Sequence, residues 1–119
     1  MGGQIAAVEG LHGVRDEFDG PPSAPFMEYD YRPRDGSRFR YVRPSPDAAL
    51  RVHTVGSHSP SRFQRLLEEF GAASGLPILV NTSFNGFHEP IVCSPRDAVR
   101  VFYGTGLDML VLGEFLLTK

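Results

Sequence analysis

The segment LPILVNTSFNGFHEPIV, residues 76–92, is the most informative part of this 119-residue chain. Its first part predicts a buried strand over 77–82, which ends in a group of small polar residues. Because strand side chains alternate between two faces, Asn81, Ser83 and Asn85 would share one face if the strand continued. That face would present two amides and a hydroxyl to a ligand. The alternative is a buried strand that leaves through a turn, since Asn, Ser and Gly favour turns for local reasons.

Capping residues on both sides of this stretch predict two main helices. Ser59 and Pro60 suit the start of the first helix, and Gly75 suits its end. Ser94 caps the second helix, whose inner face is expected to contain Ala98, Val101 and Phe102. The first helix is expected to turn one apolar stripe toward the core, formed by Phe63, Leu66, Leu67 and Phe70.

Alternating apolar residues predict strands in the remaining segments. With the helices, the element order is β, β, α, β, α, β, which predicts an α/β (α+β) fold with a mixed twisted sheet and two main helices packed on it. Residues 1–24 are rich in Gly, Pro and acids and are predicted to form a loosely ordered arm before a domain over 25–119. The expected strands are 25–31, 50–55 and 77–82, followed by one or two closing strands over 108–113 and 114–118.

Bulk composition argues against several classes of protein. The formal net charge is −2, which gives no overall attraction to nucleic acid or anionic lipid, and no apolar run approaches a membrane span. Cys93 is the only cysteine, so no internal disulfide can form, and we expect a buried structural thiol. The first residues lack the basic start and apolar stretch of a secretory signal. Together these features predict a cytoplasmic protein with no nucleic-acid or membrane partner.

The basic residues are almost all arginines, and five of them fall between Arg32 and Arg43. One interpretation is a solvated loop or hairpin, because Asp30 and Asp35 interrupt the run and Gly36 suggests a turn. The other is a surface for an anion or a partner, since arginine makes bidentate contacts with phosphate and carboxylate. The sequence leaves both open.

Several segments closely resemble the C-terminal region of the nodulation and antibiotic O-carbamoyltransferases. They occur in the order and spacing of that family, and a weaker match at Ser23–Met27 extends the resemblance over roughly 23–119. The matching segments are Arg51–Val55, Gly75–Asn85, Glu89–Ala98 and Thr105–Gly113.

This resemblance implies a YrdC-like domain. In the family, that domain converts carbamoyl phosphate and ATP to carbamoyl adenylate and releases pyrophosphate. A large actin/Hsp70-like N-terminal domain, which holds a metal, then transfers the carbamoyl group to a hydroxyl of a sugar, aminoglycoside, cephalosporin or macrolide.

The resemblance also implies a binding pocket for the polar residues at the strand end. Ser83 and Asn85 resemble the Ser-x-Asn signature of YrdC-like nucleotide sites, and Arg51 fits a phosphate-facing arginine. His53 shares a strand face with Arg51 and is expected to border the same pocket, which Asn81 would also line. We expect no metal and no cofactor in this chain, with carbamoyl phosphate and ATP as candidate substrates.

His88 is a departure from the family, which commonly carries glycine just before Glu89-Pro-Ile-Val. Histidine titrates near neutral pH, so His88 is a candidate catalytic acid or base. A histidine on a surface loop is the alternative. Glu89 is expected to brace the loop.

Two further departures concern length, because neither the large N-terminal domain nor the family's Lys/Arg segment precedes Phe26. We therefore expect the small subunit of a heteromeric carbamoyltransferase-like enzyme of antibiotic-type biosynthesis. Its partner would be a larger actin/Hsp70-like subunit, docked on an exposed apolar patch. One alternative is a subunit whose complex catalyses another reaction without ATP, such as leaving-group displacement or cyclisation. Another is a non-catalytic scaffolding subunit.

Overall fold

The structure is a computed structural model that describes residues 4–9, 13–43 and 45–119. The chain divides into two compact units, 1–82 and 83–119. Unit 1 contains β1 (Gln4–Val8), α1 (Val14–Glu17), β2 (Phe18–Asp19), β3 (Asp30–Pro33), β4 (Leu50–Val55), α2 (Ser61–Ser74) and β5 (Ile78–Val80). Unit 2 contains α3 (Pro95–Gly104), β6 (Met109–Leu112) and β7 (Phe115–Thr118).

Unit 1 is built on a five-stranded mixed sheet with the strand order β2-β3-β4-β1-β5. Strands β1 and β4 run parallel, whereas β5 is antiparallel to β1 and β3 is antiparallel to β4. The predicted α/β class, a mixed sheet with helices packed on it, is confirmed. One sheet face carries the main core, which includes Ile5, Tyr31, Leu50 and Val52.

The described part of the predicted arm, residues 4–9 and 13–24, differs from the prediction, because β1 lies inside the sheet between β4 and β5. Ile5, Ala6 and Ala7 are all buried. A strand that is covered on both faces is apolar throughout. It therefore lacks the alternation of apolar and polar residues by which a half-buried strand is recognised in a sequence. Its parallel partner β4 is also distant in the chain, since Gln4 of β1 pairs with Arg51 of β4, more than forty residues later.

Helix α2 begins one residue later than predicted, because Pro60 precedes it as the N-cap and no side chain, Ser59 included, caps it. Gly75 ends it in the left-handed conformation at φ 80°, where its N–H donates to Gly71 O at 2.8 Å. The predicted stripe is only partly right. Leu67 is buried with Ala6 and Val55, and Phe63 packs against that cluster, but Leu66 and Phe70 are exposed. Helix α2 packs partly on β5, which is a short strand at the edge of the sheet. Such a strand offers little surface for Leu66 and Phe70 to pack on.

The predicted strand over 25–31 is also shifted, since β3 begins at Asp30 and the chain turns at Pro25–Phe26. Met27 has φ 56° in this segment. An extended strand would require negative φ at every residue, so Met27 alone excludes a regular strand here.

Unit 2 begins with a loop and continues into α3. Ser94 Oγ accepts a hydrogen bond from Asp97 N at 3.1 Å, and Ala98, Val101 and Phe102 are buried, as predicted. Strands β6 and β7 then form an antiparallel hairpin with Gly113 at φ 62° between them, so the closing segment consists of two strands.

Candidate functional site

Strand β5 ends at Val80, so strand alternation does not extend to Ser83 and Asn85. Asn81 belongs to unit 1, whereas Ser83, Asn85 and His88 belong to unit 2. The predicted site residues therefore fall into two groups, and each group has its own geometry.

The first group lies at one end of the unit 1 sheet. Gln4 is paired with Arg51 across β1 and β4, and Asn81 N donates to Gln4 O at 2.9 Å. The backbones of Arg51, Gln4 and Asn81 thus form a row across three strands. Alternation along β4 places Arg51 and His53 on the sheet face that α2 covers, because Val55 on that face packs with Leu67.

Within this group His53 and Arg51 have different surroundings. The His53 ring is half-buried and its centre lies 5.7 Å from that of Phe63 in α2. Arg51 lies beyond this contact and is exposed; its Nε is 4.0 Å from Asp30 Oδ1. An ion pair between two exposed side chains at that distance is weak, so the Arg51 guanidinium remains available to an anion.

Asn81 contacts a residue that the sequence reasoning did not single out. Its Nδ2 lies 3.7 Å from Met27 Sδ, and Met27 is one of two described non-glycine residues with positive φ. Such a conformation costs about 1–2 kcal/mol for an L-residue. Strained residues persist where the surrounding structure holds them, and they concentrate at binding sites. Met27 therefore joins the candidate site.

A second residue, Glu9, was also missed, and it holds the Met27 segment on the sheet. Glu9 Oε1 accepts hydrogen bonds from Ser23 Oγ at 2.7 Å and from Thr54 Oγ1 at 2.8 Å. The buried Thr54 accepts from Ala24 N at 2.7 Å and donates its own N–H to Ala24 O at 3.1 Å. We call this set, Glu9, Ser23, Ala24 and Thr54, the Glu9 clasp.

The electrostatics of the clasp favour a charged Glu9. Burial raises the pKa of the Glu9 carboxyl, but the hydrogen bonds from Ser23 and Thr54 and the charge of His58 together lower it below the usual 4.5. His58 Nε2 lies 3.6 Å from Glu9 Oε1. No sequence signal marks Glu9, because its partners are 14 and 45 positions away.

The second group of site residues lies in the loop of unit 2. Ser83 Oγ donates to Asn85 Oδ1 at 2.5 Å, and Asn85 Nδ2 donates to Gly86 O at 3.0 Å. Backbone bonds from Val92 N to Phe84 O and from Glu89 N to Gly86 O close the loop. The structure thus brings Ser83 and Asn85 together, with a serine hydroxyl and an asparagine amide at one short segment.

His88 lies at the turn of this loop with φ 57°. Its exposed side chain packs on the exposed Phe87 ring, with 4.0 Å between the ring centres. Glycine adopts a left-handed backbone without strain, so glycine is the residue that this conformation favours. Next to it, Glu89 pairs with both guanidinium nitrogens of Arg100 at 2.9 Å, which lowers the pKa of Glu89 and raises that of Arg100. Glu89 therefore braces the loop against α3.

The prediction of a buried Cys93 is wrong. Cys93 is exposed, and its Sγ lies 3.5 Å from Asp97 Oδ2 in the first turn of α3. The apolar run before it is also largely exposed, with Ile91 at the surface, so the run does not mark a buried strand.

Neither a metal cluster nor a membrane helix occurs in the part of the chain that the structure describes. No group of three or more His, Cys, Asp or Glu residues there could hold a metal ion. None of the helices there is both long enough and apolar enough to cross a membrane.

Comparisons with known proteins agree with the resemblance. The family described as carbamoyltransferase C-terminus matches residues 6–119, a range that begins within β1. Nodulation protein NolO of Bradyrhizobium diazoefficiens is 38% identical over 103 residues, 85% of this chain and 19% of that protein. A 3'-hydroxymethylcephem-O-carbamoyltransferase of Amycolatopsis lactamdurans is 33% identical over 111 residues, 92% of this chain and 20% of that protein. An uncharacterised Synechocystis protein is 47% identical over 73 residues, 61% of this chain and 12% of its own length. The chain thus spans 12–20% of the length of these three relatives.

Proposed function

The chain belongs to the carbamoyltransferase C-terminus family, and we propose that it is the small subunit of a heteromeric carbamoyltransferase-like enzyme. The enzyme would act in the cytoplasm, in natural-product biosynthesis of the antibiotic type. A separate actin/Hsp70-like large subunit would supply the acceptor site and the metal. This chain would contribute the pocket that binds carbamoyl phosphate and ATP.

The observation that carries this proposal is an apolar face of the β6–β7 hairpin. Met109, Val111 and Leu116 are 63%, 73% and 62% exposed, and Val111 lies directly opposite Leu116. On the other face, Leu110, Leu112 and Leu117 are half-buried, and α3 packs beside β6. We call the exposed side, formed by Met109, Val111 and Leu116, the hairpin face.

A bare hairpin face calls for a partner on physical grounds. A two-stranded hairpin is marginally stable in water and needs cover for its apolar side chains. Contiguous exposed apolar residues commonly mark interaction sites. The relatives place the matching region in chains at least five times as long as the matched part, so the family offers a large body for it to pack on.

The two groups of site residues supply chemistry that suits carbamoyl phosphate and ATP. Arg51 offers a guanidinium fork to a phosphate, and Asn81, Ser83 and Asn85 offer neutral donors and acceptors to phosphate and carbamoyl oxygens. His53, which belongs to the first group, would border the pocket. In this proposal the chain itself holds no metal or cofactor.

One observation favours a second candidate, in which the complex catalyses a different reaction without ATP. His88 occupies a left-handed position at which glycine is the unstrained residue. Strained backbone positions concentrate at functional sites. A strained histidine beside Glu89 therefore fits a role as a new catalytic acid or base. A purely scaffolding subunit remains the outcome if all site substitutions leave activity unchanged.

Co-purification from the native extract tests the subunit proposal. Tagged wild-type chain should recover an actin/Hsp70-like protein in stoichiometric amount. Val111→Lys should abolish this recovery, because a charge would be buried in the apolar contact. Leu66→Lys is the matched control, since Leu66 is an exposed leucine of unit 1. A wild-type chain that recovers no large partner, or a Val111→Lys chain that recovers it fully, would refute the proposed docking.

A further inference from the structure

We propose that unit 1 carries a phosphate-binding cleft in the arginine-rich loop after β3, apart from the residues assigned above. The cleft has a volume of about 400 Å³ and is lined by Gly36, Ser37, Arg40, Arg43, Ser45 and Pro46. Its ligand would be inorganic phosphate or the phosphate group of a small phosphorylated molecule.

The arginines of this region differ in how their charges are neutralised. Arg34 NH2 lies 3.1 Å from Asp19 Oδ1, and Arg38 NH1 lies 2.7 Å from Glu17 Oε1. Among the described residues, neither Arg40 nor Arg43 has a carboxylate partner. Arg32 also has no carboxylate partner among the described residues, but it does not line the cleft. The cleft is therefore lined by two arginines, Arg40 and Arg43, whose charges no described carboxylate neutralises.

Arg43 is fixed in position without being neutralised. Its guanidinium donates to the backbone oxygens of Pro46, Gly36 (3.1 Å) and Ala48 (3.5 Å), and its Nε is buried with no acceptor. Carbonyl dipoles hold the side chain but leave its full positive charge in place. A partly buried charge of this kind is costly unless an anion accompanies it.

Arg40 is also held in place before any ligand arrives. Its NH2 donates to Tyr41 Oη at 2.7 Å, and its guanidinium carbon lies 4.6 Å from the centre of the Tyr41 ring. A cation stacked on an aromatic ring loses less freedom on binding than a free side chain. The cleft therefore presents two positioned guanidinium groups.

The donor set fits a compact dianion. Guanidinium groups make paired hydrogen bonds to phosphate oxygens, and the hydroxyl of Ser45 adds a neutral donor. Ser37 is less available, because its Oγ donates to Asp35 Oδ1 at 2.6 Å. Two acids adjoin the lining in sequence, Asp35 and Asp47. The Asp35 carboxylate accepts hydrogen bonds from both Ser37 N and Ser37 Oγ.

Titration of the chain with inorganic phosphate at low ionic strength, followed by calorimetry, tests the cleft. Wild type should bind saturably, and Arg40→Gln should weaken binding at least about tenfold, as expected when a charged hydrogen-bonding group is lost. Arg43→Gln should weaken phosphate binding by a similar factor if the loop still folds. If that variant does not fold, Arg40→Gln alone decides the test.

Two variants serve as controls for this titration. Arg32→Gln and Arg62→Gln each remove an exposed arginine that does not line the cleft. Both should change phosphate affinity by less than about twofold, since screening weakens distant surface charges. Absence of saturable binding to wild type would overturn the proposal, and so would equal weakening by Arg40→Gln and Arg32→Gln. Neither result would bear on the subunit proposal.

Discussion

The left-handed backbone at His88 yields a quantitative prediction about glycine and alanine at that position. His88→Gly and His88→Ala both remove the imidazole and its contact with the Phe87 ring. They differ only in backbone preference, because alanine keeps the steric cost of φ 57° and glycine does not. The pair therefore isolates the strain.

The expected difference follows from two opposing terms. A left-handed L-residue costs about 1–2 kcal/mol, which glycine avoids. Glycine also gains freedom in the unfolded chain, which disfavours folding by about 0.4–1 kcal/mol. The net difference favours glycine by about 0.5–1 kcal/mol. For a domain of this size, that corresponds to roughly 2–6 °C in melting temperature.

Urea denaturation and thermal melting of the two variants measure this difference directly. Wild type should lie near His88→Ala in stability, since both carry a side chain at the strained position. If His88→Ala were as stable as His88→Gly, the left-handed conformation and the reasoning from it would be refuted. Activity of the complex separates the two interpretations of the histidine: a catalytic role requires both variants to lose turnover, and a surface loop predicts that both retain it.

Three further predictions concern the clasp and the cap of α3. Glu9→Ala should lower stability to urea by about 1–3 kcal/mol, because it removes an acceptor of two hydrogen bonds, and Glu9→Gln should lower it less. Since the pKa of Glu9 is lower when folded than its usual 4.5, its contribution is complete above that value and is lost as pH falls through the folded pKa. Acid titration of stability should therefore be flatter in Glu9→Gln than in wild type, and equal slopes would contradict the clasp. Ser94→Ala should cost about 1 kcal/mol in urea denaturation, because Asp97 N loses its cap acceptor, whereas Ser57→Ala, an exposed serine, should cost almost nothing.

Elements with local determinants could be predicted from the sequence. Gly75 ends α2 and Ser94 begins α3 because the conformation and the hydrogen bond at those positions depend on one or two residues. The hairpin of β6 and β7 is local in the same way, since its strands are adjacent in the chain.

Features that depend on distant partners could not be predicted. Strand β1 lacks a pattern of its own and is defined by pairing with β4 and β5. Asn81 meets Met27 across 54 positions, and Thr54 meets Glu9 across 45. The sequence indicated Arg51, Asn81 and Ser83 as residue types suited to a phosphate or carbamoyl ligand. The division of these residues between the two units depends on where β5 ends, and the ends of such elements are poorly predicted from propensity.

Pyrophosphate release by the assembled complex shows whether this chain serves a carbamoyltransferase-like enzyme. The chain together with its co-purified large partner should release pyrophosphate only when ATP and carbamoyl phosphate are both supplied. Arg51→Gln should reduce that rate by at least about tenfold, since it removes a charged phosphate contact. A stoichiometric, folded complex that releases no pyrophosphate from these substrates would contradict the account and favour a different reaction for this pair.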